Sequence, residues 1–215
     1  MQAIPRQALE ILKSRRCRSA EQHPLSAFSL LELLLTVAIV LVLVSLYWGP
    51  NSSSKQRALQ IACQANLQKL YVSMQIYAND FAGRFPQMPG ARTSAEALSI
   101  LVPRYNSDTA AFVCPASDDS ASQAGESLKK RKISYAYYMG RFLTNAQAVL
   151  ITDKQVDTTA KAVGQPVFST TGKPPGNNHG NSGGNLLFCD GHLESSPPSS
   201  AFPLGLGPGE VLLNP

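Results

Sequence analysis

The most apolar stretch of the chain is the segment 28–48, in which Glu32 is the only charged residue. A helix of about 20 apolar residues is long enough to cross the hydrocarbon core of a bilayer. Tyr47 and Trp48 stand at the far end of the segment, where aromatic rings favour the membrane interface. The pattern therefore predicts a transmembrane helix over residues 28–48.

A second hydrophobic pattern begins after Gly49 and Pro50, two residues that bend or interrupt a helix. Apolar residues then recur at intervals of three or four, which places them along one face of a helix. Gly83 supplies a stop signal. The spacing predicts an amphipathic helix over residues 49–83 that continues into a globular head. Its apolar face consists of Leu59, Cys63, Leu67, Leu70, Met74, Tyr77 and Phe81.

The following residues predict a small head over 84–194. Thr93 and Ser94 introduce a short capped helix that ends before Pro103. Asp190-Gly191 favours a hairpin turn between the last two strands. The Pro- and Gly-rich tail over 195–215 is expected to be irregular. Strands are predicted at 133–139, 148–152, 185–188 and 191–194.

These elements together predict an α+β fold. A long N-terminal helix, transmembrane in its first half and amphipathic in its second, is expected to pack on a small antiparallel sheet head. We find no internal repeat in the sequence.

Charge adds an orientation to this picture. Residues 1–27 contain five basic and two acidic residues, and basic segments beside a membrane helix stay in the cytoplasm. The sequence thus predicts a cytoplasmic leader over 1–27, a single pass through the inner membrane and an exported head. A cleaved secretory signal is disfavoured because its apolar core is shorter, about 7–15 residues. The basic run 129–132 is typical of a solvated loop, so no nucleic-acid partner is indicated.

The start of the apolar run resembles a known processing signal. The residues Ala27-Phe28-Ser29-Leu30-Leu31-Glu32, followed by an apolar helix, are similar to the class III signal of type IV pilins and type II secretion pseudopilins. The resemblance implies that a prepilin peptidase cuts between Ala27 and Phe28 and that the new amine of Phe28 is methylated. It also implies assembly with other pilin-like subunits into a filament in the periplasm or at the cell surface. The family usually has Gly at the position of Ala27.

Glu32 matches the glutamate that the family has at the fifth position after the cut. Cleavage would place the amine of Phe28 four residues before Glu32, on the same helical face. The amine can pair with Glu32 of its own chain or of a neighbour, and a pair between chains would set the axial register of the subunits. The alternative is that Glu32 only reaches the cytoplasmic interface.

A second resemblance extends through the head. Segments 63–70, 77–80, 83–86 and 112–115 are similar, in this order, to segments of a subgroup of pseudopilin-like proteins. That subgroup often ends in a His followed, about nine residues later, by Asp-Gly. Here ten residues separate His179 from Asp190.

His179, Asp190 and His192 are the candidate metal ligands, since two imidazoles and a carboxylate can bind a transition metal. Asp190 and His192 flank a predicted turn, however, and His179 lies in a Gly- and Asn-rich loop. We therefore favour a structural hairpin and expect neither a metal nor a cofactor. The sequence shows no nucleophile elbow, phosphate loop or usefully spaced pair of carboxylates, so an enzyme is not expected.

The cysteines divide between the two predicted compartments. Cys17 lies in the leader and is expected to stay reduced, whereas Cys63, Cys114 and Cys189 are in the exported part, where disulfides persist. Three thiols allow three single bridges. A bridge between Cys63 and Cys114 is preferred, with a buried free thiol at Cys63 as the alternative.

The sequence thus predicts a structural subunit of a type IV pilus-like filament or a type II secretion pseudopilus. The alternative is a signal-anchored envelope protein that is never cut and exports a globular domain. Secretion, adhesion, motility and DNA uptake all remain open as roles for the filament.

Overall fold

The computed structural model describes residues 28–47, 51–121 and 127–215. Helices α1, Leu30–Tyr47, and α2, Asn51–Asp80, belong to two compact units, Met1–Gly49 and Pro50–Pro215. We call the second one the head unit. It also contains the short helix α3, Ser94–Leu98, and the 3-10 helices Ser99–Leu101, Thr109–Phe112 and Leu128–Lys130. Its strands are β1 Tyr135–Met139, β2 Val149–Asp153, β3 Gly184–Phe188, β4 Leu193–Ser196 and β5 Val211–Leu213.

The five strands form one antiparallel sheet in the order β4-β3-β2-β1-β5. Strands β1 to β4 confirm the four predicted strands to within two residues at each end. The predicted hairpin turn joins β3 to β4, and Gly191 supplies the positive φ of +90° that this turn requires. Strand β5 comes from the tail that was expected to be irregular, and it pairs with β1.

The apolar face of α2 is confirmed as the side that packs into the core of the head unit. Its central residues are buried, while Leu59 is half-buried and Phe81 is 46% exposed. The helix ends where Gly83 donates its N–H to the Ala78 carbonyl at 2.8 Å, a contact typical of helix C-termini. The buried members are Cys63, Leu67, Leu70, Met74 and Tyr77.

Both faces of the sheet are covered. Successive side chains of a strand point to opposite faces, and in β1 Tyr135 and Tyr137 join the large cluster that includes α2. Tyr138 joins a second cluster, which contains Phe168 and, from the tail, Leu204. Strands β2 and β3 are consequently buried along their whole length.

A buried arginine attaches the tail to the sheet. Arg141 forms an ion pair with Glu210 at 3.1 Å, donates to the Gly205 carbonyl at 2.8 Å and lies 4.3 Å from the centroid of the Tyr138 ring. Because the guanidinium is paired and stacked, its burial is compensated.

The predicted fold class is wrong in its long N-terminal helix. In place of one helix with two halves, the described residues have α1 and α2 as two helices in separate units. The residues between them include Gly49 and Pro50, and Gly and Pro have the lowest helix propensities. The α+β content and the small antiparallel sheet agree with the prediction.

The predicted transmembrane helix over 28–48 and the single-pass inner-membrane location are also contradicted. Helix α1 has 18 residues, which at a rise of 1.5 Å per residue gives about 27 Å, less than the roughly 30 Å of a bilayer core. Within residues 28–47, 51–121 and 127–215, the structure has no helix that is both long enough and apolar enough to cross a membrane.

Candidate functional site

The head unit brings together four side chains that can bind a metal. The cluster consists of Cys63, Cys114, Asp153 and His179, whose Sγ, carboxylate and imidazole atoms all lie within 4.8 Å of one another. We call it the Cys–Cys–Asp–His cluster. Its members come from the middle of α2, the segment after the 3-10 helix Thr109–Phe112, the end of β2 and the loop before β3.

Local hydrogen bonds explain why these segments meet. Asn66 of α2 donates to the Val113 carbonyl at 2.9 Å and so holds the segment of Cys114 against the helix. Asn178 donates to the Ser134 carbonyl at 2.7 Å and to Asp153 Oδ1 at 2.8 Å. These two bonds fix the loop of His179 beside the sheet.

The contacts inside the cluster are short and buried. Cys63 Sγ donates to Asp153 Oδ1 at 3.3 Å, and Cys114 Sγ lies 3.5 Å from His179 Nε2. The same Nε2 lies 3.3 Å from Asp153 Oδ2, and the two side chains are only 6% and 1% exposed. Both sulfur atoms belong to fully buried residues.

The groups that surround the cluster present hydrogen-bond donors to it. Asp153 Oδ2 accepts from the backbone N–H of Asn185 at 2.7 Å and from its Nδ2 at 3.0 Å. The Tyr135 hydroxyl lies 3.3 Å from Cys63 Sγ. These donors satisfy the hydrogen-bonding capacity of the buried Asp153 carboxylate.

The two thiols are electrostatically different. The interaction with Cys63 lowers the pKa of Cys114 to about 6, and His179 lowers it further, although burial opposes this shift. Burial raises the pKa of Cys63 well above its usual range. Burial lowers the pKa of His179, but its contacts with Asp153 and Cys114 outweigh this and raise it to about 10.

The geometry does not suit a catalytic thiol. A thiol–imidazole–carboxylate triad uses both ring nitrogens, one for the nucleophile and one for the acid. Here Cys114 and Asp153 both contact Nε2 of His179. Cys114 is also fully buried, so a substrate has no direct approach to its sulfur.

The structure separates His179 from the other two predicted metal candidates. His192 Nδ1 lies 2.6 Å from Asp190 Oδ1, and the two side chains are 45% and 37% exposed. The His192 ring stacks on Phe188 with centroids 3.9 Å apart. A hydrogen bond from the His192 backbone N–H lowers the pKa of Asp190. This pair therefore belongs to the hairpin turn.

Cys63, Cys114 and Cys189 are buried free cysteines. The predicted partners Cys63 and Cys114 share the cluster without a bond between their sulfurs, so the disulfide stays a prediction. Cys189 lies at the β3–β4 turn, where its carbonyl accepts from the Tyr71 hydroxyl at 3.2 Å and burial raises its pKa to about 12. Cys17 lies outside the described residues.

The residues of the processing signal lie at the boundary of the described chain. Ala27 falls outside it, whereas Phe28 precedes α1 and is 73% exposed. Glu32 lies in the first turn of α1 with an exposed side chain. Cleavage, methylation and pairing of Glu32 therefore stay predictions.

Asp153 is the cluster residue that the sequence did not reveal. The available signal was a carboxylate that ends a buried apolar strand, Val149–Asp153, where an acid is costly without partners.

The chain matches no family model, no curated protein and no solved structure.

Proposed function

We propose that this chain is a filament subunit of the type IV pilin or type II secretion pseudopilin class, cut by a prepilin peptidase between Ala27 and Phe28. The observation that supports this most is the surface of α1. Every side chain described in this helix is exposed, and its large apolar residues range from 40% exposed at Val44 to 82% at Leu30.

An apolar surface on all sides of a helix is stable only when other apolar groups cover it. Copies of the same helix provide that cover, because each presents the same kind of surface to its neighbours. The hydroxyls of Thr36 and Ser45 donate to backbone carbonyls of their own helix at 2.9 and 2.8 Å. These two polar residues can therefore enter an apolar bundle without losing a hydrogen bond.

Glu32 has a different requirement. A carboxylate that becomes buried between helices is unfavourable unless a cation pairs with it. Cleavage before Phe28 would create such a cation, an amine one helical turn away in sequence position. In a bundle, the amine of one subunit pairs with Glu32 of the next, which sets the axial register. The partners are thus the peptidase and other pilin-like subunits.

The test compares Glu32→Leu with Thr36→Leu, which makes the same kind of change one turn further along α1. We expect both variants to accumulate and to be cut like the wild type. Only Glu32→Leu should fail to enter filaments, because removing one partner of a buried pair costs about 3–5 kcal/mol. Intact mass gives the N-terminus, and the subunit content of sheared filaments relative to the total cellular amount gives assembly.

Two results would contradict the proposal. One is recovery of only the uncut chain from cells that contain an active prepilin peptidase. The other is assembly of Glu32→Leu at the level of the wild type and of Thr36→Leu.

A further inference from the structure

We propose that the Cys–Cys–Asp–His cluster is a Zn²⁺ site, with Cys63, Cys114, Asp153 and His179 as its four ligands. The site lies within the head unit and does not depend on filament assembly.

The types of ligand favour zinc. Two thiolates, an imidazole nitrogen and a carboxylate oxygen form a mixed S, N and O set of the kind that binds Zn²⁺ with tetrahedral geometry. Magnesium and calcium prefer oxygen ligands alone. Four protein ligands fill a tetrahedron, which is the arrangement of a structural site rather than of a catalytic one.

The distances agree with this geometry. With Zn–S at about 2.3 Å and Zn–N or Zn–O at about 2.0–2.1 Å, the ligand atoms of a tetrahedron lie about 3.3–3.8 Å apart. The cluster has 3.3 Å from Cys63 Sγ to Asp153 Oδ1, 3.5 Å from Cys114 Sγ to His179 Nε2 and 3.3 Å from that Nε2 to Asp153 Oδ2. All four ligand atoms lie within 4.8 Å of one another, so the longest separations must shorten by up to about 1 Å around a bound ion.

The contacts of His179 Nε2 fit two protonation states of the imidazole. Gln64 and Ser195 donate to Asn185 Oδ1 at 3.0 and 3.3 Å, which turns Asn185 Nδ2 toward His179 Nε2 at 3.3 Å. If Nε2 bears a proton, it and Asn185 Nδ2 both donate to Asp153 Oδ2, at 3.3 and 3.0 Å. If it does not, Nε2 and the Asp153 carboxylate oppose each other as two acceptors. A metal ion resolves the second case, because both become its ligands.

The surrounding groups match those of a metal site. Ligating carboxylates and thiolates are usually oriented by outer hydrogen-bond donors. Asn178 and Asn185 donate to the two oxygens of Asp153, and the Tyr135 hydroxyl can donate to Cys63 Sγ. Binding of Zn²⁺ releases the protons of the thiols and leaves His179 as a neutral ligand.

The cluster also has a path to solvent. A cleft of about 360 Å³ lies between α2 and the 178–182 loop, and His179, Asn178, Gln60 and Ala116 are among its lining residues. His179 therefore separates the cleft from the buried sulfurs, and small movements of its loop would admit an ion.

The experiment uses the full-length chain in mild detergent, reduced and stripped of metal with a chelator, and then titrated with Co²⁺ and Zn²⁺. We expect one Co²⁺ per chain, with thiolate-to-cobalt charge-transfer bands and the strong d–d bands of a tetrahedral site, and displacement of Co²⁺ by Zn²⁺. Cys63→Ser, Cys114→Ser and His179→Ala should each lower the Zn²⁺ affinity on the order of 100-fold or more.

Two matched controls lie outside the cluster. Cys189→Ser changes another buried free thiol, and His192→Ala changes another histidine that faces a carboxylate. Both should keep the wild-type stoichiometry and spectrum.

Three results would overturn the proposal. They are a Co²⁺ spectrum of the wild type without thiolate bands, an unchanged Zn²⁺ affinity in Cys63→Ser, and a Cys63–Cys114 disulfide in place of bound zinc in protein isolated from zinc-supplied cells without chelator or reductant. The first and third are measured on the wild type, so they decide the question even where a variant does not fold.

Discussion

The described part of the head unit contains two histidine–aspartate pairs that share their chemistry but differ in distance, burial and partners. His192 and Asp190 lie closer together, at 2.6 Å against 3.3 Å for His179 and Asp153. Yet the closer pair is exposed and the longer one is buried. Water screens an exposed ion pair, so such a pair contributes little to the stability of the protein. The distances alone would therefore suggest the wrong order for the contributions of the two pairs to stability.

Their partners show what makes the difference. Asp190 Oδ1 accepts from the backbone and the ring of His192, two residues away in the same turn. Asp153 is contacted by side chains from α2, from the loop of His179 and from β3. The Asp190–His192 pair lies within one hairpin turn, whereas Asp153 and His179 connect segments that are distant in the sequence.

The largest expected effect is that of Asp153→Asn. In chelator, so that metal binding does not contribute, it should lower the free energy of unfolding by about 3–5 kcal/mol, because it breaks a buried ion pair and turns an amide toward donors. The matched control, Asp190→Asn, should change the free energy of unfolding by less than about 1 kcal/mol. Denaturant titration of both variants measures the two changes. Equal losses of unfolding free energy would show that burial does not distinguish the two pairs.

The sequence could predict those features of the head unit that depend on local patterns. The apolar face around Cys63 and Leu67 follows from a helical repeat, and the Asp190-Gly191 turn follows from the backbone freedom of glycine. The cluster could not be read in the same way, because Cys63 and Asp153 are 90 residues apart. Local proximity instead suggested Asp190 as the partner of His179. Strand β5 escaped prediction because three residues between prolines and glycines give no periodic signal.

A second prediction tests how much the backbone conformation of the hairpin turn, as distinct from its ion pair, contributes to stability. A Cβ added at Gly191 would lie 2.4 Å from Cε1 of Tyr71, and the φ there is +90°. Strain and overpacking together should make Gly191→Ala cost about 2–4 kcal/mol. Gly164→Ala is the control, since its φ is +82° but nothing lies within 4 Å of the added Cβ. A larger loss of melting temperature at position 164 would contradict this account.

A third prediction concerns the donors around Asp153. Asn185→Ala removes the side-chain hydrogen bond to Asp153 Oδ2 and should destabilise the metal-free head unit by about 1–3 kcal/mol. Asn145→Ala removes an exposed hydrogen bond that the Phe142 N–H donates to a side-chain oxygen, and it should have a clearly smaller effect. Parallel thermal unfolding of the two variants in chelator measures the difference. Similar losses would mean that burial does not distinguish these donors.

The smallest expected effect is the pH dependence contributed by the exposed pair. The pKa of Asp190 is lowered in the folded chain, first by the His192 backbone N–H and also by its ring. A depressed folded pKa stabilises the protein above the unfolded pKa of about 3.9 and loses that contribution as the pH falls through the folded value. The wild type should therefore exceed Asp190→Asn in stability at pH 6 by less than about 1 kcal/mol. The two should converge as the pH falls below 4, which denaturant titrations at a series of pH values can measure. A difference that persists at the lowest pH would show that Asp190 acts through something other than its charge, and the exposed pair would then resemble the buried one more than its exposure suggests.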